Sequence, residues 1–94
     1  MIVFSEDALA DVVRLRRFLD EKSPRAAARA AATIFTAIDR LRDFPRLGAP
    51  KGSTGVRQLV VPFGASPYIV RYAILAETAD IVILRIWHGR EARS

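Results

Sequence analysis

Residues 68–88 limit the fold of this chain more than any other stretch. Two runs rich in Ile, Val, Leu, Tyr and Trp, residues 68–75 and 81–88, have the composition of half-buried β-strands. The five polar or small residues between them have the length of a hairpin connection. Because an isolated hairpin is only marginally stable in water, the rest of the chain must cover one of its faces.

The upstream half of the chain predicts two helices that provide this cover. Ser5 is the expected N-cap of the first helix, which is predicted to end near residue 20. Ser23 followed by Pro24 predicts a new helix start, and the second helix is predicted to end near residue 43. Both segments have an apolar stripe with helical period, so a helical hairpin that packs through one side is expected.

Two further strands complete the predicted fold. Residues 2–4 are predicted to be an edge strand and residues 56–61 a strand before the hairpin. Residues 46–55 are predicted to be a connector rather than a phosphate-binding loop, and residues 89–94 a basic polar tail. The order β-αα-βββ predicts an α+β fold, with the helical hairpin packed on one face of a three-stranded antiparallel meander. We expect residues 1–94 to form a single domain.

Composition excludes several kinds of site. The chain has no cysteine and one histidine, which argues against disulfides and against Cys-based or His-cluster metal sites, so neither a metal nor a cofactor is expected. No apolar run is long enough to span a membrane. The first residues contain no basic region before an apolar stretch, so we expect no signal peptide and a cytoplasmic location.

The net charge of +5 comes almost entirely from arginine and lies mainly in the second half of the chain. This bias fits a polyanion or an acidic protein as partner, and it fits a solvated surface equally well. Strict alternation places Ile83, Arg85 and Trp87 on one face of the last strand. If the strands align, Arg57 and Arg71 join Arg85 on the sheet face away from the helices, where they can bind phosphates or simply keep the face soluble.

The single histidine, His88, lies at the end of the last strand and shares a face with Ile86 by alternation. Packing at the strand end is favoured over acid–base catalysis, because no second histidine, nucleophilic cysteine or carboxylate pair accompanies it. Tyr68 and Tyr72, four residues apart, share a face and are predicted to pack in the core.

Several short motifs follow one another along almost the whole chain. They are Phe44-Pro45, Gly48, Val56-Arg57, the tyrosine-flanked residues 68–72, and residues 81–90 ending in His-Gly-Arg. Their order and spacing resemble the ParE/RelE superfamily of toxins from bacterial type II toxin–antitoxin systems. The resemblance implies a toxin that a cognate antitoxin neutralises. In this superfamily RelE-type members cleave mRNA on the ribosome, whereas ParE-type members poison DNA gyrase.

Two features of the sequence indicate which branch, RelE-type or ParE-type, the chain resembles more. Nuclease members typically carry Arg-Leu-Val-Tyr in the third strand, with the arginine acting on the scissile phosphate, but that position holds Ile69 here. Arg71 is expected to project from the opposite face, and the ending WHGRE resembles the ParE branch. We therefore favour a ParE-like inhibitor of DNA gyrase. The alternatives are a RelE-like ribosome-dependent mRNA endonuclease, with candidate catalytic residues Arg57, Arg85 and His88, and an inactive module that only binds its antitoxin.

The resemblance also implies two binding surfaces. The target, gyrase or alternatively the ribosome with its mRNA, is expected at Arg57, Arg71, Arg85, Trp87, His88 and Arg90. The first helix has a wider apolar arc than packing requires, which indicates a groove for an amphipathic partner segment. A ParD-like antitoxin with an acidic C-terminal segment is expected there, at Leu9, Val13, Arg16 and Phe18, with charge complementary to Arg14, Arg16 and Arg17.

Overall fold

The computed structural model describes residues 1–52 and 55–91. The predicted connector and tail thus fall partly outside the described residues, at 53–54 and 92–94. The elements are β1 (Ile2–Phe4), α1 (Glu6–Lys22), α2 (Pro24–Asp39), a short 3-10 helix (Arg40–Arg42), β2 (Ala49–Pro50), β3 (Val56–Val61), β4 (Tyr68–Ile74) and β5 (Ile81–His88). This confirms the predicted α+β fold and adds one short strand, β2, within the predicted connector.

Both helices begin at the predicted caps. The Ser5 hydroxyl accepts a hydrogen bond from the Ala8 N–H at 3.1 Å, and the Ser23 hydroxyl accepts one from the Ala26 N–H at 3.2 Å. Pro24 is the first residue of α2, so Ser23 alone separates the two helices. In the part of the chain that the structure describes, neither helix is long and apolar enough to cross a membrane.

The strands form one sheet in the order β1-β5-β4-β3-β2. β1 lies at one edge, as predicted, and pairs in parallel with β5, whereas the other neighbours are antiparallel. The helices carry the chain from β1 to β2 at the opposite edge of the sheet, and β3 and β4 then lead to β5. β1 and β5 are thus joined by a long connection, as a parallel pair requires. The predicted hairpin, β4 and β5, therefore lies inside the sheet rather than at its edge.

The helices cover one face of this sheet. The core combines helix side chains with inward residues of the strands, and its largest fully buried members are Tyr68, Tyr72, Leu41, Ile83, Ile86 and Val70. The prediction that both tyrosines pack in the core is confirmed. This packing gives the hairpin the apolar cover that its sequence requires.

Strand β5 does not alternate strictly. Arg71 pairs with Arg85, but the next residue, Tyr72, pairs with Ile83, so Leu84 is an extra residue. This β-bulge changes the phase of the strand, and Ile83 is buried in the core on the same side as Ile86. The predicted shared face of Ile83 and Arg85 is therefore wrong.

Candidate functional site

Arg71 lies at the centre of the sheet face away from the helices. We call this the outer face and define it by Gln58, Ile69, Arg71 and Trp87, which are joined by the cross-strand pairs Gln58–Arg71 and Ile69–Trp87. Arg71 therefore shares a face with Ile69, because residues two apart in a strand point the same way. The expectation that Arg71 projects from the opposite face is wrong.

The Arg71 guanidinium is held in place by its neighbours. Its central carbon lies 5.0 Å from the centroid of the Trp87 ring, and its Nε and Nη2 donate to the Gln58 Oε1 at 3.3 and 3.0 Å. Within residues 1–52 and 55–91, Arg71 forms no ion pair with a carboxylate. Since the Trp87 indole is only 8% exposed, it supports the guanidinium rather than offering an open stacking surface.

A depression of about 410 Å³ lies beside this pair and is lined in part by Lys51, Gln58, Arg71 and Trp87. The lining also includes the carboxylate of Glu91, which pairs with Arg14, so Lys51 and Arg71 remain as two cations beside a carboxamide and suit an anionic group of a partner. The outer face is thus the part of the sheet best suited to bind an anion.

Arg57 lies on the other face of the sheet. It pairs across the ladder with Tyr72, whose side chain is in the core, and its Nη1 donates to the Gly48 carbonyl oxygen at 2.7 Å. The predicted common face of Arg57, Arg71 and Arg85 is wrong for Arg57, because the register places Gln58 rather than Arg57 opposite Arg71. Arg57 instead holds the segment before β2 against β3 through its hydrogen bond to Gly48.

Tyr72 binds the same segment through two hydrogen bonds of its hydroxyl group. Its hydroxyl donates to the Pro45 carbonyl oxygen at 2.7 Å and accepts from the Gly48 N–H at 2.9 Å. A Cβ on Gly48 would lie 2.8 Å from both the Gln58 carbonyl oxygen and a Tyr72 ring carbon, so only glycine fits there without displacement. Motif residues far apart in the sequence thus meet in one cluster, which we call the Tyr72 cluster and define by Pro45, Gly48, Arg57 and Tyr72.

Arg85 faces Arg71 across the ladder, but its guanidinium is bound by helix α1. Its Nε and Nη2 donate to the two carboxylate oxygens of Asp11 at 2.8 and 3.0 Å. Asp11 also accepts from the Ile86 N–H at 2.8 Å and from Arg14 at 3.1 Å, and only 3% of it is exposed. Arg85 therefore anchors α1 to the bulged strand.

Burial raises the pKa of Asp11, but hydrogen bonds from Arg85, the Ile86 N–H and Arg14 outweigh that effect and hold the pKa below its ordinary value. Sequence reasoning missed this residue. Its signal was an aspartate inside the apolar stripe of α1, three residues after Ala8 and four before Leu15. A charge in that position requires a buried partner, and Arg85 provides it.

Arg14 extends the same network to the end of the sheet. It donates to Glu91 at 2.6 Å and to the Ile86 carbonyl oxygen at 3.2 Å, while Glu91 accepts from the His88 N–H at 2.9 Å. Burial lowers the pKa of Arg14, but its bonds to Glu91 and Asp11 outweigh that effect and raise it. The sequence predicted that Arg14 pairs with an acidic partner. In the structure Arg14 is instead bound to Glu91 and Asp11 of the same chain.

His88 packs where the sequence predicts. Its ring meets the Tyr68 ring edge-on, with centroids 5.2 Å apart, and it lies on the Ile86 side of β5. The His88 Nδ1 accepts a hydrogen bond from the Arg90 N–H at 3.3 Å, and Arg90 donates from its Nε to the Ser66 hydroxyl at 2.8 Å. His88 and Arg90 therefore lie together at the end of β5, and the His88 side chain lies on the opposite side of that strand from Trp87.

The four α1 residues predicted to bind the antitoxin fall on two sides of the helix. Leu9, Val13 and Arg16 are three or four residues apart and form one exposed stripe. Phe18 follows Leu9 by nine residues, which is about two and a half helical turns and places it on the other side. The apolar arc of α1 thus has two exposed sides, which lie on either side of its buried residues Ala8 and Leu15.

The three candidate catalytic side chains do not converge. Arg57 belongs to the Tyr72 cluster, Arg85 is bound to Asp11, and His88 rests on Tyr68. Across the described ranges 1–52 and 55–91, no group of three or more His, Cys, Asp or Glu side chains is placed to hold a metal ion. The arrangement offers anion binding at Arg71, whereas each of the three candidate nuclease residues is engaged in a contact of the fold.

Comparison with known proteins identifies the family. A family model described as the ParE toxin of the type II toxin–antitoxin system parDE matches residues 2–93. The chain belongs to the ParE toxin family. It is therefore a toxin of a type II toxin–antitoxin system within the ParE/RelE superfamily, as the resemblance of its motifs implies.

The proteins that this toxin resembles carry names from both branches, RelE and ParE. Toxin RelE1 of Caulobacter vibrioides is 39% identical over 98% of this chain and 96% of its own length, and Toxin RelE3 of the same organism is 37% identical over 92% and 90%. Among solved structures, the chromosomal ParDE system of P. aeruginosa matches with a TM-score of 0.68 at 22% identity over 90% of each chain. The intact E. coli RelBE complex matches with a TM-score of 0.65 at 16% identity over 99% and 98%. These two structural likenesses show the fold.

Proposed function

We propose that this toxin inhibits DNA gyrase and that a cognate antitoxin neutralises it. The observation that carries the choice of target is the separation of the candidate nuclease side chains, Arg57, Arg85 and His88, each of which has a structural partner elsewhere. Cleavage of RNA by acid–base catalysis needs proton-transfer groups within hydrogen-bond reach of one phosphate. The ParE description of the matching family and the WHGRE ending support the same branch.

The outer face is the surface that we assign to the target. Arg71 is ordered by Gln58 and Trp87 before any partner arrives, which reduces the entropy lost on binding. Lys51 lies in the adjoining depression, and His88 with Arg90 extends the basic surface around the end of β5. In this proposal Arg57 and Arg85 hold the fold, and Arg71 contacts an anionic group of the gyrase–DNA complex.

The antitoxin is assigned to α1. Leu9 and Val13 are 53% and 51% exposed, and Arg16 beside them is bound only loosely, with its Nε 3.8 Å from Asp20. An amphipathic acidic segment would bury the two apolar side chains and pair with the arginine. The solved E. coli structure is that of a toxin–antitoxin complex, and we propose that this chain forms a complex of the same kind.

A RelE-like ribosome-dependent mRNA endonuclease is the second candidate function. The similar proteins from Caulobacter vibrioides carry the name RelE, and Arg71 lies on the same face as Ile69, the position of the nuclease arginine in the resemblance. The two positions are about 7 Å apart along the strand. Arg71 thus lies on the same surface as the position where the resemblance places the nuclease arginine.

Replacing Arg71 by alanine is expected to reduce toxicity at least tenfold on induced expression in a bacterium, while the protein stays folded. Arg71 has no carboxylate partner within the described residues, so its loss removes a contact to the target and little stability. Growth under graded induction, with far-UV circular dichroism of the purified variant, measures both effects. Coexpression of the cognate antitoxin is expected to restore growth of cells that produce the wild-type toxin.

The matched control is Arg25→Ala, which removes an exposed arginine from α2 and is expected to leave toxicity unchanged. Arg57→Ala and Arg85→Ala test the surface poorly, because both arginines hold structural elements together. A folded Arg71→Ala variant as toxic as the wild type would show that the outer face is not the working surface.

A further inference from the structure

The outer face extends beyond Arg71 in both directions along the strands. Because side chains paired across neighbouring strands share a face of the sheet, the register arranges apolar outer side chains in two rows. The first, which we call the Val82 row, crosses four strands and consists of Val3, Val82, Ala73 and Val56. The second, which we call the Ile69 row, crosses three strands and consists of Trp87, Ile69 and Val60.

Neither row is covered by another part of residues 1–52 and 55–91. The helices pack on the opposite face of the sheet, where the core lies. Val60 is 56% exposed and Val3 is 40% exposed, and the other aliphatic members of the rows are partly exposed. Aliphatic side chains left open across four strands form a patch of the kind that a partner covers.

Arg71 lies between the two rows. It follows Ile69 and precedes Ala73 by two residues in β4, so each row lies about 7 Å away along the strand. On one side of Arg71 the guanidinium of Arg85 is bound by α1, and on the other side Gln58 is neutral. The Arg71 guanidinium is thus flanked by aliphatic rows and has no carboxylate partner within the described ranges of the chain.

This pattern favours a protein partner over DNA. A DNA backbone is bound by surfaces that offer cations to several phosphates, whereas here Arg71, with Lys51 beside it, lies between aliphatic rows. A nucleic-acid base stacks on an open aromatic face, but Trp87 is only 8% exposed. Packing of two copies of this chain through the outer face is disfavoured as well, because it would bring their Arg71 side chains together. The complementary surface has one carboxylate between apolar side chains.

We propose that the outer face binds a protein surface of gyrase in which one carboxylate lies between two groups of apolar side chains. The inference rests on the proposed function, and it identifies the anionic group that Arg71 contacts as a carboxylate rather than a DNA phosphate. The apolar groups pack on the Val82 row and the Ile69 row. The two rows thereby exclude water around the ion pair, which strengthens the attraction between its charges.

Lysine substitutions in the two rows distinguish a protein partner from DNA by the sign of their effect. Val3→Lys and Val60→Lys each add a cation at an exposed position, one in each row. We expect each to weaken binding to the gyrase holoenzyme by about tenfold or more, because the ammonium would be buried against apolar side chains. On a DNA-binding surface the same cations would pair with phosphates and strengthen binding.

Calorimetry with gyrase holoenzyme free of DNA measures these affinities. The matched control is Thr36→Lys, which adds the same charge at an exposed position of α2 and is expected to stay within about twofold of the wild type. Circular dichroism verifies that each variant is folded. Val3→Lys and Val60→Lys variants that bind as tightly as the wild type, or more tightly, would overturn the proposal.

The wild-type toxin provides a test that needs no variant. It is expected to bind the holoenzyme in the absence of DNA, and its affinity is expected to fall by less than about tenfold between roughly 50 and 200 mM salt, because few charges are paired. A surface that contacts many phosphates would lose about 10³-fold or more over the same range. Binding that requires DNA, or that has this steep dependence on salt, would overturn the proposal.

Sedimentation of the toxin alone tests the remaining occupant, a second copy of the chain. We expect a monomer at the concentrations used for calorimetry. A dimer that Val60→Lys dissociates would show that the outer face binds another copy, and it would overturn the proposal.

Supercoiling assays separate this inference from the proposed function. A wild-type toxin that neither binds nor inhibits gyrase would contradict both. If the wild type inhibits gyrase, and Val3→Lys and Val60→Lys inhibit it equally well, only the assignment of the outer face to a protein surface of gyrase is contradicted.

Discussion

Asp11→Ala is expected to lower the free energy of unfolding by about 3 kcal/mol, the lower end of the range for breaking a buried ion pair. The substitution removes the acceptor of Arg85 and of the Ile86 N–H, which lie between α1 and β5. The lower end applies because the Arg85 side chain is 36% exposed and can regain water. Urea denaturation at neutral pH measures the change, which is large for a domain of 94 residues.

The matched control for this prediction is Asp20→Ala, on the same helix. Asp20 and Arg16 form an exposed pair at 3.8 Å, so its loss is expected to cost no more than about 0.5 kcal/mol. Equal effects of the two substitutions would show that Asp11 does not anchor the helix to the sheet.

The Asp11 carboxylate also makes stability depend on pH. Its pKa is lowered in the folded protein, so its contribution is fully present above the ordinary aspartate value of about 3.9 and is lost as the pH falls through the lower folded value. In Asp11→Asn the side chain does not titrate. The difference in unfolding free energy between wild type and this variant should therefore be constant near neutrality and shrink below about pH 4. A difference that stays constant in acid would contradict the assignment of the lowered pKa to this residue.

Gly48→Ala is expected to lower the free energy of unfolding by about 2 to 3 kcal/mol. The added methyl group would lie 2.8 Å from the Gln58 carbonyl oxygen and from a Tyr72 ring carbon, and the backbone oxygen cannot move without disturbing β3. The shift would also loosen the bonds by which Tyr72 and Arg57 hold this segment. Thermal unfolding followed by circular dichroism measures the loss.

Gly64→Asn provides the contrast. Gly64 has φ of +57° and no heavy atom within 4 Å of an added Cβ, and asparagine tolerates this backbone conformation better than other residues. The substitution is expected to be nearly neutral. If Gly48→Ala proved as mild as Gly64→Asn, the Tyr72 cluster would not be tightly packed.

Local signals in the sequence were sufficient for the two helices and for strands β1, β3, β4 and β5, but not for the two-residue strand β2. Ser5, Ser23 and Pro24 define the helix starts through hydrogen bonds that span only three residues. The β-rich runs and the link between them likewise define the hairpin β4–β5, because neighbouring strands with a short connection pair with each other. The family resemblance depended on the same elements in order, and the match over residues 2–93 confirms it.

Local sequence signals could not predict where the side chains of the site residues lie. The face of Arg57 depends on its register against β4, and that register is set by packing across the sheet rather than by β3 itself. The extra residue in β5 depends on contacts of β5 with α1 and β1, which no alternation pattern contains. The two exposed sides of α1 were not predicted for a related reason. Only the position of the sheet shows that Phe18 lines a cleft, whereas Leu9 and Val13 lie on the other side of the helix.

Side-by-side assay of the two candidate targets tests the central claim most directly. Purified wild-type toxin is added to gyrase with relaxed plasmid and, separately, to ribosomes translating a defined mRNA. We predict loss of supercoiling or trapped cleaved DNA in the first assay, relieved by the antitoxin, and intact mRNA by primer extension in the second. Cleavage of the mRNA at codon positions on the ribosome, with gyrase unaffected, would contradict the account and establish the RelE-like function.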